Sequence, residues 1–273
     1  MPGATTFAPV PLHHCLLLTT ALAAASPGES VNPETAVDAG TDSPASETWT
    51  QHFDRLWHQR DNRKTLEEIY ALAKSAQKKS AEDFEANWRL AAVLVWESDG
   101  FADGSNAKAR AGKEAWTLAD KALSVKSQDV RAQYYGGTGI GLYSEGVGIL
   151  TALGEGLEGK FRSRVEAALK LDKDFLDGGP QVLWGRYFFK LPWPKRDVSE
   201  SIKVLRACVQ EHPHNLRAKL YLAESLLDDG KKDEAKRLID DIQTAPIGVD
   251  PPEDHRIKQR AQEWAKQHQA DFG

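Results

Sequence analysis

The sequence predicts an all-α fold of stacked antiparallel helical hairpins, and three observations support that prediction. No segment of the 273 residues sustains the period-two alternation of a half-buried strand. Apolar residues recur at helical spacing instead, as in Trp49, Phe53, Leu56 and Trp57, or Leu66, Ile69, Tyr70, Ala73 and Ala76. Residues 178–213 then show the order helix, stop, helix, proline. A helical pattern opens at Leu183, Trp184 and Gly185, and Leu191-Pro-Trp-Pro194 stops it. Asp197-Val-Ser-Glu200 starts a second helix, which His212-Pro213 ends.

The same order repeats along the chain. Ala223, Leu226, Gly230, Ala235, Ile239 and Ile242 carry the spacing of the roughly 34-residue tetratricopeptide repeat, with Pro246 one residue early for its final proline. That repeat needs small residues where its two helices approach closely and larger apolar residues around them. One copy earlier, Ser201, Leu205, Cys208 and Pro213 occupy the second helix, and the 191–196 loop holds four extra residues. Val165, Ala168 and Lys173 mark another copy, whose first helix, about 129–157, is overlong and glycine-rich. Ala115, Ala119, Ala122 and Ser127 mark a further one, preceded by Trp88, Ala92 and Val95 with a loop insertion at Asp99–Asn106. Repeats are thus expected near 85–127, 128–173, 178–213 and 216–246, after a hairpin at 48–79. An open stack leaves its last apolar face uncovered, and Pro251-Pro252 begins a half-polar helix to about 269 that suits a cap, with Ile257, Ala261 and Trp264 on one face. The expected architecture is a tetratricopeptide-like short solenoid with a C-terminal capping helix, spanning 48–273.

The ends and the charge narrow the function. Cys15–Ala25 is an apolar run of signal-peptide length, and Ala23 and Ala25 satisfy the small-x-small cleavage rule, so residues 1–25 read as a signal peptide. Residues 26–47 are rich in Ser, Pro and acids and read as a disordered tether. The formal charge of −5 is matched by five acids and no base between 29 and 48, so the body beyond is neutral. A neutral body without a basic cluster excludes a nucleic-acid partner. No later run is long enough for a transmembrane segment in the mature chain. With the signal removed, Cys208 is the lone cysteine, in a position that wants a small buried residue, and reads as a structural thiol.

Two stretches attract a functional reading. The glycine-rich helix of residues 134–159 loses up to ~1 kcal/mol per interior glycine relative to alanine, so neighbours must clamp it. Gly137 and Gly141, one turn apart, offer a smooth face for a second helix; alternatively the missing side chains open a ligand channel beside Tyr134, Tyr135 and Tyr143. In the second stretch, Arg186 follows Gly185 in an aromatic cluster with Tyr187. It could clamp a carboxylate, although a salt bridge to a neighbouring helix is the plainer reading. Trp193, between two prolines, is no helix-stripe residue and either plugs a hole or offers a contact surface. Catalytic and metal signatures are missing: there is no HExxH, CxxC or GxSxG, His52 and His58 share no helical face, and His212 and His214 flank a proline in what reads as a solvated turn. We therefore expect no enzyme activity, no metal and no cofactor.

Residues 88–242 resemble the tetratricopeptide-type T-component (TatT-like) proteins associated with TRAP transporters. The resemblance is carried by Trp-Arg-Leu-Ala at 88–91, the glycine- and tyrosine-rich helix after Asp-Val-Arg-Ala at 129–132, and Val-Glu-Ala-Ala-Leu-Lys-Leu-Asp at 165–172. Asp-Gly-Gly-Pro at 177–180, Leu-Trp-Gly-Arg-Tyr at 183–187 and Leu-Tyr-Leu-Ala-Glu at 220–224 complete it. It implies a periplasmic, non-enzymatic repeat protein in a TRAP-type solute uptake system, partnering a solute-binding protein or holding a small apolar ligand. The leading expectation is an exported scaffold that binds a protein partner. The alternatives are a carrier of a small apolar ligand beside the glycine-rich helix, and a cytoplasmic adaptor if the N-terminus is no signal.

Overall fold

The computed structural model describes residues 47–102 and 104–272. The signal peptide, and the tether up to residue 46, lie outside them. Among the described residues the chain forms twelve α-helices and no strand: α1 (Trp49–Trp57), α2 (Arg63–Lys79), α3 (Phe84–Gly100), α4 (Gly104–Val125), α5 (Val130–Val147), α6 (Ile149–Gly154), α7 (Leu157–Leu171), α8 (Phe175–Lys190), α9 (Val198–Glu211), α10 (Leu216–Asp228), α11 (Lys232–Thr244) and α12 (Pro251–Gln267). Polar side chains fix where most of them begin. Thr48 and Gln51 form a reciprocal capping box on α1. Asn62, Asp83, Asp129, Asp197, Asn215 and Asp250 accept from the first free N–H groups of α2, α3, α5, α9, α10 and α12.

Neighbouring helices pack as antiparallel pairs: α1 with α2, α3 with α4, α5 with α7, α8 with α9, and α10 with α11, with α12 against α10 and α11. The first helices of successive pairs also touch, α3 on α5, α5 on α8 and α8 on α10, which is the contact pattern of a solenoid of helical hairpins. One core cluster spans α1 to α5 around Phe53, Ile69, Leu90 and Val93; another spans α9 to α12 around Leu205, Leu226, Ile242 and Ile257.

The irregular elements differ from the sequence expectation. The overlong helix is two helices: Gly148 at φ 93° ends α5, and Gly156 at φ 70° separates α6 from α7, values that only glycine adopts without strain. The expected insertion at Asp99–Asn106 shrinks to a short link, because α3 continues through Asp99 to Gly100 and α4 begins at Gly104. His212 is no solvated turn residue. Its side chain is only 12% exposed and bridges Asp177 (3.0 Å) and Asp174 (3.1 Å). With Asn215 Nδ2 donating to the Asp177 carbonyl at 2.6 Å, it holds the left-handed break at Leu176, Asp177 and Gly178 that opens α8.

Close helix approach occurs as the glycines imply, but on another face. A Cβ on Gly139 would lie 2.7 Å from the Trp116 backbone N, and one on Gly146 would lie 2.6 Å from that of Ala109. One on Gly112 of α4 would lie 2.5 Å from the Tyr143 N. These three residues let α4 and α5 meet backbone to backbone. Gly137 and Gly141 face α7 at ordinary to slightly tight separations, 3.2 Å to Val165 and 3.4 Å to Phe161.

The stack curves until its ends meet, and long side chains span the closure. Arg60, after α1, pairs with Asp250 before α12 at 2.6 Å, its guanidinium stacked between the Trp57 and Trp96 rings. Asp99, in the last turn of α3, pairs with Arg217 of α10 (2.9 Å) and with Arg260 (3.1 Å) and Arg256 (3.5 Å) of α12. Gly100 leaves room for the Arg256 guanidinium, which any Cβ there would strike.

Candidate functional site

The curved stack forms a half-open cavity of about 390 Å3, within the range of roughly 300–1,000 Å3 that small-molecule sites occupy. The first helices of the hairpins form most of its wall: α3 through Val95, Trp96 and Asp99, α5 through Tyr134, Tyr135 and Leu142, α8 through Leu183, Arg186 and Tyr187, and α10 through Arg217 and Tyr221. The short α6 and the start of α7 close one end with Leu153, Leu157 and Phe161. The wall is apolar over most of its area, with charged groups both at the closure, as Arg60 and Asp99, and along α5 and α8, as Glu145 and Arg186.

Four of the six residues singled out from the sequence lie in this wall. Tyr134 and Tyr135 project from α5 and form an aromatic cluster with Phe175, with ring centroids 5.2–6.4 Å apart; Tyr135 also stacks on Trp88 at 6.3 Å. Burial pushes the Tyr135 hydroxyl up to about 12 and Tyr134 higher still. Arg186 pairs with Glu224 of α10 and lies over the Tyr221 ring at 4.1 Å, so it takes the inter-helix salt bridge. Tyr187 stacks between Trp184 (5.2 Å) and Phe161 (5.5 Å) and donates to Glu158 at 2.9 Å. Burial and that acceptor push its hydroxyl up to about 12.

The other two lie elsewhere. Tyr143 points away from the cavity into the cluster of Trp116, Ile140, Ala152 and Leu157, with its hydroxyl on Glu155 at the surface, so the channel beside it is not formed. Trp193 plugs no hole; it is 88% exposed.

The residues that sequence reasoning missed are those of the closure: Arg60, Asp99, Arg217 and Arg256. Burial alone would raise the Asp99 carboxyl, but the guanidinium groups of Arg217, Arg260 and Arg256 outweigh it and hold it well below the usual carboxylate range. Burial likewise lowers Arg256, to about 10, against the pull of Asp99. Two further features lie apart from the cavity. Cys208 is fully buried between α8 and α9, its thiol pushed up to about 12 by burial, as suits a packing residue. Asp174, Glu211 and His212 bring ligand-type atoms within 4.8 Å of one another, yet the Lys173 ammonium already bonds both carboxylates, at 3.0 and 2.6 Å, where a cation would sit.

A family model described as regulator of microtubule dynamics protein 1-3 matches residues 49–269, nearly the whole of the described chain. The chain belongs to this family. No curated protein matches the sequence. Membership corrects the resemblance to the TRAP-transporter T-components, and with it the assignment to a TRAP uptake system and to the periplasm. The residues that suggested it are packing residues: Trp88 fills the space between Phe84, Ala122 and Ala132, Gly139 and Gly146 seat α5 on α4, and a Cβ on Gly185 would lie 2.5 Å from Leu205. Such residues specify hairpins, which unrelated proteins share, and say nothing of a role in transport. Among the described residues no helix is long and apolar enough to cross a membrane.

Proposed function

We propose that this member of the regulator of microtubule dynamics family is a non-enzymatic binding protein whose central cavity holds a small apolar ligand. The half-open, largely apolar cavity against α5 is the observation that carries this reading. Several of the charged groups in its wall are tied up in salt bridges, as Arg60 to Asp250, Arg186 to Glu224 and Arg217 to Glu253, rather than left free to attack or to shuttle protons. The lone described thiol is buried outside it. Native mass spectrometry of the full chain, purified without detergent, is expected to show a population heavier than the polypeptide by the mass of a ligand. A clean apo mass from several preparations would overturn the reading.

A second reading, a cytoplasmic protein-binding adaptor, is favoured by one specific observation: Trp193 stands 88% exposed in a proline-bounded loop, and an exposed tryptophan suits an interface centre. The family's name directs the test to microtubules. The chain is expected to co-pellet with microtubules assembled from pure tubulin and to lose that behaviour on Trp193→Ala. Failure of the unaltered chain to pellet retires this reading and leaves the first intact.

A further inference from the structure

We propose that the outer rim formed by α6 and the α8–α9 loop docks on the surface of an anionic lipid bilayer, with Leu150 and Trp193 entering its interface. This goes beyond the apolar-ligand reading and is tested apart from it.

Trp193 is 88% exposed and Leu150 is 75% exposed, well beyond what large apolar side chains show elsewhere in the helices. Leu150 belongs to the one α-helix among the described residues that carries no charge, within an uncharged run from Gly146 to Gly154. Gly148 and Gly156, both at positive φ, break the backbone on either side and set α6 apart from α5 and α7. The α8–α9 loop lies beside it. Lys190 reaches Glu145 near the end of α5 (3.9 Å), Lys195 bonds Glu158 at the start of α7, and Leu191 lines the cavity with Ile149 and Leu153 of α6. Trp193 stands between those two lysines, so both exposed apolar side chains share one rim.

The charge around this rim selects the partner. Glu145 is shared by two ammonium groups, Lys108 (3.3 Å) and Lys190 (3.9 Å). Lys113 and Lys160 lie over the Trp116 ring at 4.0 and 4.9 Å, and Trp116 packs against Ala152 of α6. Neither of these lysines pairs with a carboxylate among the described residues. The other carboxylates here are Glu158, matched by Lys195, and Glu155, which accepts from the Tyr143 hydroxyl at 3.1 Å. Positive charge is thus in excess around an apolar rim. An anionic headgroup layer answers both features: nearby ammonium groups are attracted to it, and tryptophan, with an apolar ring and a polar N–H, suits the boundary between headgroups and hydrocarbon. A fluid interface also accepts two separate apolar side chains without a shaped counterpart, whereas a protein partner needs a complementary surface around them.

The test sediments the full chain with vesicles of phosphatidylcholine and phosphatidylserine in a ratio of about 3:1. Leu150→Asp and Trp193→Asp are each expected to weaken binding at least about ten-fold, by removing an apolar anchor and setting a like charge against the headgroups. Lys113→Gln and Lys160→Gln are each expected to weaken it about 3–5-fold, an effect that disappears on vesicles of phosphatidylcholine alone. Val125→Asp puts the same charge on an exposed apolar residue at the end of α4 and is expected to change nothing. All five substitutions are at exposed positions, and circular dichroism checks that each variant is folded. Failure of the unaltered chain to sediment, or unchanged binding in both Leu150→Asp and Trp193→Asp, overturns the proposal. So does an equal loss in Val125→Asp, which would mean unspecific adsorption. Co-pelleting with microtubules that Trp193→Ala abolishes, without any vesicle binding, gives the rim to a protein and overturns it as well. A ligand mass in native mass spectrometry with vesicle binding unchanged in both rim variants spares the cavity reading and removes this one. An apo mass with binding lost in both does the reverse.

Discussion

The hairpin α10–α11 and the junction α4–α5 pack helices against each other by different means. In α10–α11 the contact is made by alanines and β-branched residues at repeat spacing: Ala223, Ala235, Ile239 and Ile242 are all buried in one cluster with Leu226. In α4–α5 side chains are removed altogether, and Gly112, Gly139 and Gly146 bring backbone onto backbone. The regular hairpin joins a continuous core of its own. The glycine junction draws α5 onto α4, and the adjoining face of α5 lines the cavity with Tyr135 and Leu142, joined by Tyr134 further round the helix. A departure from the repeat pattern therefore marks one of the two helices, α5 and α8, that form most of the candidate site's wall. Near the site's rim the two parts of the stack meet through Asp99 and Arg60 rather than through a shared apolar core.

The sharpest way to separate the two parts is to remove the link. Asp99→Ala leaves Arg217 and Arg256 without their shared carboxylate, and loss of one member of a buried ion cluster costs about 3–5 kcal/mol. Urea unfolding should show that loss and split into two transitions as the α1–α7 and α8–α12 parts uncouple. A change below about 1 kcal/mol would mean that apolar contacts close the ring. The same carboxylate sets a pH dependence. Its folded pKa lies below its unfolded value of about 4, so its contribution is full above that pH and drains away as pH falls toward the folded value. Between about pH 4 and pH 2 the unaltered protein should lose stability more steeply than Asp99→Asn, measured by acid titration of helix ellipticity.

Reciprocal substitutions probe the packing contrast itself. Ala223→Gly removes a buried methyl and a good helix former, an expected loss of about 2 kcal/mol. Gly139→Ala adds a methyl 2.7 Å from backbone that cannot yield; overpacking of about 1–3 kcal/mol should exceed the ~1 kcal/mol gain in helix propensity, for a net loss of about 1 kcal/mol. Chemical denaturation of both variants checks whether the two interfaces have opposite size requirements. A stabilised Gly139→Ala would show that α4 and α5 can move apart and would remove the contrast. The smallest effect is expected at Trp193, which touches neither packing system: Trp193→Ala should change stability by less than about 0.5 kcal/mol in thermal melts.

Much of this was legible in the sequence. Ala223, Ala235, Leu205 and Cys208 stand at repeat spacing, and all are buried where that spacing puts them. The cap Pro251–Gln267 presents Ile257 and Ala261 to the core as its periodicity requires. The site was half legible. Tyr134, Tyr135, Arg186 and Tyr187 stood out by composition and lie in the cavity wall, but Tyr143 belongs to a different cluster. Asp99 looked like part of a turn because Asp-Gly is ordinarily turn chemistry, whereas three guanidinium groups keep it in a helix.

The physical reason is range. Helices, their caps and their paired stripes are written in residues three, four or a few tens of positions apart, so the sequence by itself determined an all-α stack of hairpins with a polar cap. Which glycines meet a neighbour, where the curvature ends, and which charges neutralise one another depend on small rotations accumulated over every repeat. Arg60 finds Asp250 across 190 residues and Asp99 finds Arg217 across 118. Only the tertiary structure could bring these together, and with them the half-open cavity that the stack surrounds.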